Sequence, residues 1–132
     1  MNPPAILCKI EAYCPIYPSE DPKKVEQAIT NIIDDVDIKI STEVIKATST
    51  NLESLKKIYE TIHSHKTQNT YRRQLNLNLN NESTWFYLNK QAAFANKISI
   101  CSESDESPLG PIKVILDSKN IKQVLEWLIA TE

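Results

Sequence analysis

Trp85-Phe86-Tyr87-Leu88-Asn89-Lys90-Gln91-Ala92-Ala93-Phe94 changes periodicity half-way along. Trp85 to Leu88 is aromatic-rich, which suits a pleated, half-buried surface. Alternation puts Phe86 and Leu88 on one face of a strand and Trp85 and Tyr87 on the other. Both faces are apolar, so both read as at least partly covered. Asn89 is a good helix N-cap, and Lys90 to Ala95 is a good helix former with its alanines. Lys90 falls in the first turn, where a cation opposes the helix dipole. It reads first as a solvated lysine, with a partner elsewhere in the fold as the alternative.

On the downstream side, Lys97 to Cys101 reads as a strand with Ile98 and Ile100 inward. Ser102 to Ser107 is an acidic, polar loop. Pro108 and Pro111 bracket Gly110, the one glycine of the chain, which is expected at a positive φ or at a close backbone approach. Pro111 to Leu116 is the last strand, and Ser118 caps a closing helix with Ile121, Val124, Leu125 and Leu128 inward and Trp127 beside them.

On the upstream side, Leu75-Asn76-Leu77-Asn78-Leu79-Asn80 alternates strictly and reads as a strand turning at Asn80 to Ser83. Lys66 to Gln74 has room for a helical turn carrying Tyr71, Arg72 and Arg73. Asn51 caps a helix to about Ser64, with Leu52, Leu55, Ile58, Tyr59 and Ile62 inward. Val36 to Ser41 and Glu43 to Ser49 read as a hairpin after a turn at Asp34-Asp35. Asp21-Pro22 starts a helix whose stripe is Val25, Ala28, Ile29 and Ile32. Ala5 to Cys14 is the first strand. Strands come in hairpin-like pairs mixed with helices, which predicts an α+β fold: one domain over 1–132, a mainly antiparallel sheet with helices packed on one face.

Composition narrows the function classes. The chain has 132 residues, enough for a sizeable core. Its net charge of -2 argues against a dedicated nucleic-acid binder, which usually carries a basic face or tail. No run is long enough to span a membrane, and Met1 to Lys9 lacks the pattern of a secretion signal. Three cysteines without a C-x-x-C motif read as free thiols in a cytoplasmic protein, with Cys8 and Cys14 as core residues.

Three stretches carry a resemblance: Tyr17-Pro18-Ser19-Glu20-Asp21-Pro22, Phe86-Tyr87-Leu88-Asn89-Lys90-Gln91-Ala92-Ala93-Phe94, and Glu106-Ser107-Pro108-Leu109-Gly110-Pro111-Ile112. They resemble the archaeal uncharacterised protein family known as UPF family 0201. The similarity covers most of the chain and is loose from Lys66 to Ser83. It implies RNA binding, with a fold like that of the ribosomal protein that holds 5S RNA, and a likeness to double-stranded-RNA-binding domains. These motifs specify the family and not an activity.

A single glycine leaves neither a P-loop nor a dinucleotide fingerprint. His63 and His65, two apart on a helix, point to different faces and read as exposed rather than as metal ligands. No cofactor, no metal and no catalytic constellation is identifiable, so the chain reads as a non-enzyme. The positive candidates are Arg72, Arg73, Lys90, Gln91 and Lys97 for nucleic acid, with Tyr71, Trp85 and Tyr87 among them, since cations beside stacking rings are common in RNA modules. The bland reading is a solvated basic face with the aromatics packed under helices. Two functions follow: weak, electrostatic binding of structured RNA or a ribonucleoprotein, or a homodimeric protein-interaction module with Trp85 and Tyr87 at the interface.

Overall fold

Eleven strands and helices, β1 to β6 and α1 to α5, are mixed along the computed structural model, which describes residues 2–131. β1 (Lys9–Pro15) leads into α1 (Pro22–Ile32), then the hairpin β2 (Asp37–Ile40) and β3 (Val44–Ser49). α2 (Lys56–Ser64) and α3 (Gln68–Leu77) follow, then β4 (Ser83–Leu88), α4 (Lys90–Phe94), β5 (Ile100–Cys101), β6 (Ile112–Asp117) and α5 (Ile121–Leu128). All strand pairs are antiparallel, and the sheet order is β2-β3-β1-β6-β4-β5.

Alternation sorts the sheet into two faces. Ile10, Ala12, Cys14, Ile45, Ala47, Phe86, Leu88, Ile112, Val114 and Leu116 are buried in one core with the stripes of the helices, Val25 and Ile29 of α1, Ile58 and Ile62 of α2, Val124 and Leu128 of α5. Helices cover that face alone, as the α+β reading expects. The thiols of Cys8 and Cys14 are driven up to about 11 and about 12 by burial, and all three cysteines are free and buried. They behave as small core hydrophobes.

Local rules explain most element starts. Asp21 accepts from the Lys23 amide at 3.0 Å with Pro22 opening α1. Asn51 accepts from the Glu53 amide at 3.0 Å and starts a 3₁₀ turn, Leu52–Leu55, that runs into α2. Asn89 accepts from the Ala92 amide at 2.9 Å and caps α4. Asn89→Ala is expected to lower the unfolding free energy by about 1 kcal/mol, read from the urea midpoint. A midpoint unmoved within error would mean that α4 is held by packing alone.

Several sequence expectations are corrected. Leu75 to Leu77 is the end of α3 and not a strand. The Leu-Asn alternation has the period of a strand, but Tyr71 and Leu75, one turn apart, are the residues buried on α3. Thr84 of β4 donates to the Leu75 carbonyl at 2.6 Å and Asn78 to the Trp85 carbonyl at 2.9 Å, which ties the helix to the strand. The strand expected over 97–101 shrinks to Ile100–Cys101. Ser118 does not cap α5, which begins at Ile121. Its hydroxyl accepts from the Asn120 amide at 3.1 Å in the turn before the helix and donates to the Leu7 carbonyl at 2.8 Å. His63 is not exposed: it stacks on Tyr59 with centroids 4.0 Å apart, and its Nε2 donates to the Leu128 carbonyl at 3.0 Å.

Candidate nucleic-acid interface

Lys90 is fully buried, against its reading as a solvated residue. Its ammonium donates to Glu20 Oε1 at 2.8 Å, to the Pro15 carbonyl at 2.7 Å and to the Leu109 carbonyl at 2.7 Å. Those three partners use all three donors of the ammonium. The Lys90 amide donates to Ser107 Oγ at 3.0 Å, and that hydroxyl donates to the Gly110 carbonyl at 3.0 Å. Gln91 donates to the Pro108 carbonyl at 3.2 Å. The turn is possible because Gly110 has φ +84° and no Cβ, which would stand 2.5 Å from Pro15 Cγ. The segments around Glu20, Lys90 and Gly110 therefore meet at one buried ion pair, which closes one end of the sheet. The Lys90 ammonium, its amide and the Ser107 hydroxyl all find partners within the chain, so the cluster reads as a structural joint.

The sheet face opposite the helices is different. Strand register places its side chains in rows across the strands. One row reads Lys39, Lys46, Tyr13, Lys113, Tyr87 from β2 to β4. The next reads Asp37, Thr48, Glu11, Ile115, Trp85. Trp85 and Tyr87 touch, with ring centroids 4.8 Å apart and tilted by 57°. The Lys113 ammonium sits 4.5 Å above the Trp85 ring, and Lys46 lies 5.5 Å from the Tyr13 ring. Both are cation–π arrangements.

Glu11 is the one carboxylate set among these rings. It accepts from Tyr13 Oη at 3.1 Å and pairs with Lys46 at 3.0 Å. Partial burial alone would raise its pKa; the hydrogen bonds from Lys46 and Tyr13 outweigh that and hold the carboxyl below its usual value. The same bond to Glu11 raises the pKa of Lys46. Towards the far end, Lys9, Glu11, Asp37, Lys46 and Asp117 line an open concavity of about 700 Å³, where charges of both signs alternate.

A family model described as RNA binding matches residues 9–118, which takes in every strand of the sheet. Among relatives, the UPF0201 protein of Methanothermobacter thermautotrophicus is 33% identical over 120 residues, covering 91% of this chain and 89% of that protein. That of Sulfurisphaera tokodaii is 37% identical over 126 residues, covering 92% and 87%. The chain belongs to the UPF0201 family. A crystal structure of an uncharacterized UPF0201 protein superposes with a TM-score of 0.79 at 29% identity, covering 93% of this chain and 94% of that one. The UPF0201 protein from Methanococcus jannaschii gives the same TM-score at 20% identity, covering 94% of each, and shows the shared fold alone.

Within this UPF0201 fold the sequence candidates are scattered. Lys90 is closed off in the buried pair and cannot meet a phosphate. Arg72 and Arg73 belong to α3, in the helical layer, and Arg72 is held by the Ile129 carbonyl at 3.1 Å and by Asn69. Gln91 sits at the start of α4, and Lys97 is exposed just beyond it. Tyr71 is buried edge-on against Phe86, with centroids 5.5 Å apart, so it offers no stacking face. Trp85 and Tyr87 do stand on the uncovered face, as alternation predicts. The residues that flank them, Tyr13, Lys46 and Lys113, escape a sequence reading because strands distant along the chain bring them together. Their alternation within β1, β3 and β6 is the signal that could have found them. Among the described residues, no helix is long and apolar enough to cross a membrane.

Proposed function

We propose that this protein binds RNA, free or within a ribonucleoprotein, through the uncovered face of its sheet, and does so without catalysing a reaction. The observation that carries this reading is the set of Lys46 and Lys113 ammoniums over the Tyr13 and Trp85 rings on a face that no helix covers. Cations meet phosphates and ring faces meet bases, which is the pairing RNA modules use. The match to the RNA-binding family model supports it. Attraction is local, because the whole chain carries a net charge of -2. Affinity is therefore expected to be modest and steeply salt-dependent.

The test is binding of a folded RNA with an unpaired loop, measured over a series of salt concentrations. Lys46→Ala with Lys113→Ala is expected to weaken binding and flatten the log-log salt slope by about 1.4–1.8 units for two lost phosphate contacts. Arg72→Ala with Arg73→Ala is expected to leave both nearly unchanged. Absence of binding by the wild type at low salt rejects the proposal. Sedimentation that shows a dimer with Trp85 shielded from a soluble quencher would favour the alternative, a homodimeric interaction module.

A further inference from the structure

The order of side chains in the row across the sheet bears on which form of RNA the face takes. From β2 to β4 the row holds three lysines and two tyrosines, Lys39, Lys46, Tyr13, Lys113 and Tyr87, and no carboxylate. Carboxylates belong to the rows beyond it, Asp37 and Glu11, and then Asp117 opposite Lys9 and Ser83. Of these Glu11 reaches back into the row, to Lys46 at 3.0 Å and Tyr13 at 3.1 Å, and leaves Lys113 as a cation without a carboxylate beside it among the described residues. The cationic track is one row wide and runs perpendicular to the strands. Tyr13 and Tyr87 are separated by β6, hence by two strand spacings of about 4.8 Å, roughly 10 Å in all. Lys113 stands between them.

Bases stacked in a helix follow one another at about 3.4 Å. Two rings roughly 10 Å apart therefore cannot each take a base from one continuous stack. They fit bases splayed apart, each with a free face, with a phosphate between them at Lys113. A duplex presents its edges and backbone and keeps its base faces covered. We infer that the ligand of this face is an unpaired RNA segment lying across the strands, with one base on Tyr13, one on the Trp85–Tyr87 pair, and the intervening phosphate on Lys113. This rests on the RNA-binding reading above and names the form of RNA. The Lys113 ammonium now above the Trp85 ring gives way to the base and moves to the phosphate, so the indole changes its neighbour on binding. Sequence preference is slight, because every base has a stackable face.

The experiment compares single-stranded oligouridine and oligoadenosine with a blunt RNA duplex of equal length over a series of salt concentrations, with affinities compared at the lowest. Binding is followed by anisotropy and by the emission of Trp85 in a Trp127→Phe background, the chain having two tryptophans. Single strands are expected to quench Trp85 and to bind at least 10-fold more tightly than the duplex. Tyr13→Ala is expected to weaken single-strand binding roughly 5- to 150-fold, the value of one stacked base, without changing the salt slope. Since Tyr13→Ala could loosen the sheet, Tyr13→Leu serves as a second variant, and the wild-type comparison stands without either. Duplex binding equal to single-strand binding, with Trp85 emission unmoved, overturns the inference and leaves RNA binding in place. No binding of any of these RNAs, nor of the folded RNA above, removes both.

Discussion

Lys90→Met is expected to lower the unfolding free energy by about 3–5 kcal/mol, the range for breaking a buried ion pair by removing one partner. Methionine fills nearly the same space and carries no donor. It leaves Glu20, whose side chain is 7% exposed, without its cation, and strips a donor from the Pro15 and Leu109 carbonyls. Domains of this size hold roughly 5–15 kcal/mol in total, so the variant should unfold at much lower urea. Adding Glu20→Gln should recover part of the loss, because the uncompensated charge is then gone. A single-variant loss under about 1 kcal/mol would show that water reaches the pair and that the joint is weaker than its geometry indicates.

Gly110→Ala is expected to cost roughly 2–5 kcal/mol, combining the strain of a left-handed conformation with overpacking. At φ +84° the new Cβ would stand 2.5 Å from Pro15 Cγ, in a proline ring that has little freedom to give way. Any relief moves the Leu109 carbonyl off the Lys90 ammonium, so the two effects are coupled. The neighbour supplies the control. Leu109 also has positive φ, at 63°, but its side chain is 40% exposed. Leu109→Gly should therefore be close to neutral. Thermal unfolding of both variants beside the wild type checks this. Equal losses at the two positions would mean that chain flexibility, and not the contact with Pro15, sets the cost.

The readable parts of the fold are those governed by neighbours in sequence. Alternation from Trp85 to Leu88 sorts the two faces of β4, and Asp21, Asn51 and Asn89 mark helix starts by the bonds they make within three residues. Gly110 is legible because only glycine is comfortable at its φ. What escapes is set by distance along the chain. Glu20 lies 70 residues from Lys90, so nothing local announces that this lysine is buried rather than solvated. The Leu-Asn run from Leu75 satisfies a strand pattern, and only Tyr71 packing with it on one helical face decides otherwise. At the candidate interface, Trp85 and Tyr87 are legible from their own strand. Tyr13, Lys46 and Lys113 are not, because their company depends on the order β3-β1-β6-β4, in which the first and last strands of the chain stand side by side between β3 and β4.

The short outer strands carry a consequence for partners. A sheet rim with free backbone groups is a template on which another chain can add a strand. Here one rim is β5, two residues long, and the other is β2, four residues long with Asp37 and Lys39 on it. Two residues give too few ladder bonds to hold an added strand, and charged side chains on a short rim discourage one. Extension of the sheet by a peptide, or by the rim of a second copy, is thus disfavoured at both sides. Whatever docks on this protein's sheet has to come down on its broad surface, using side chains instead of backbone for recognition.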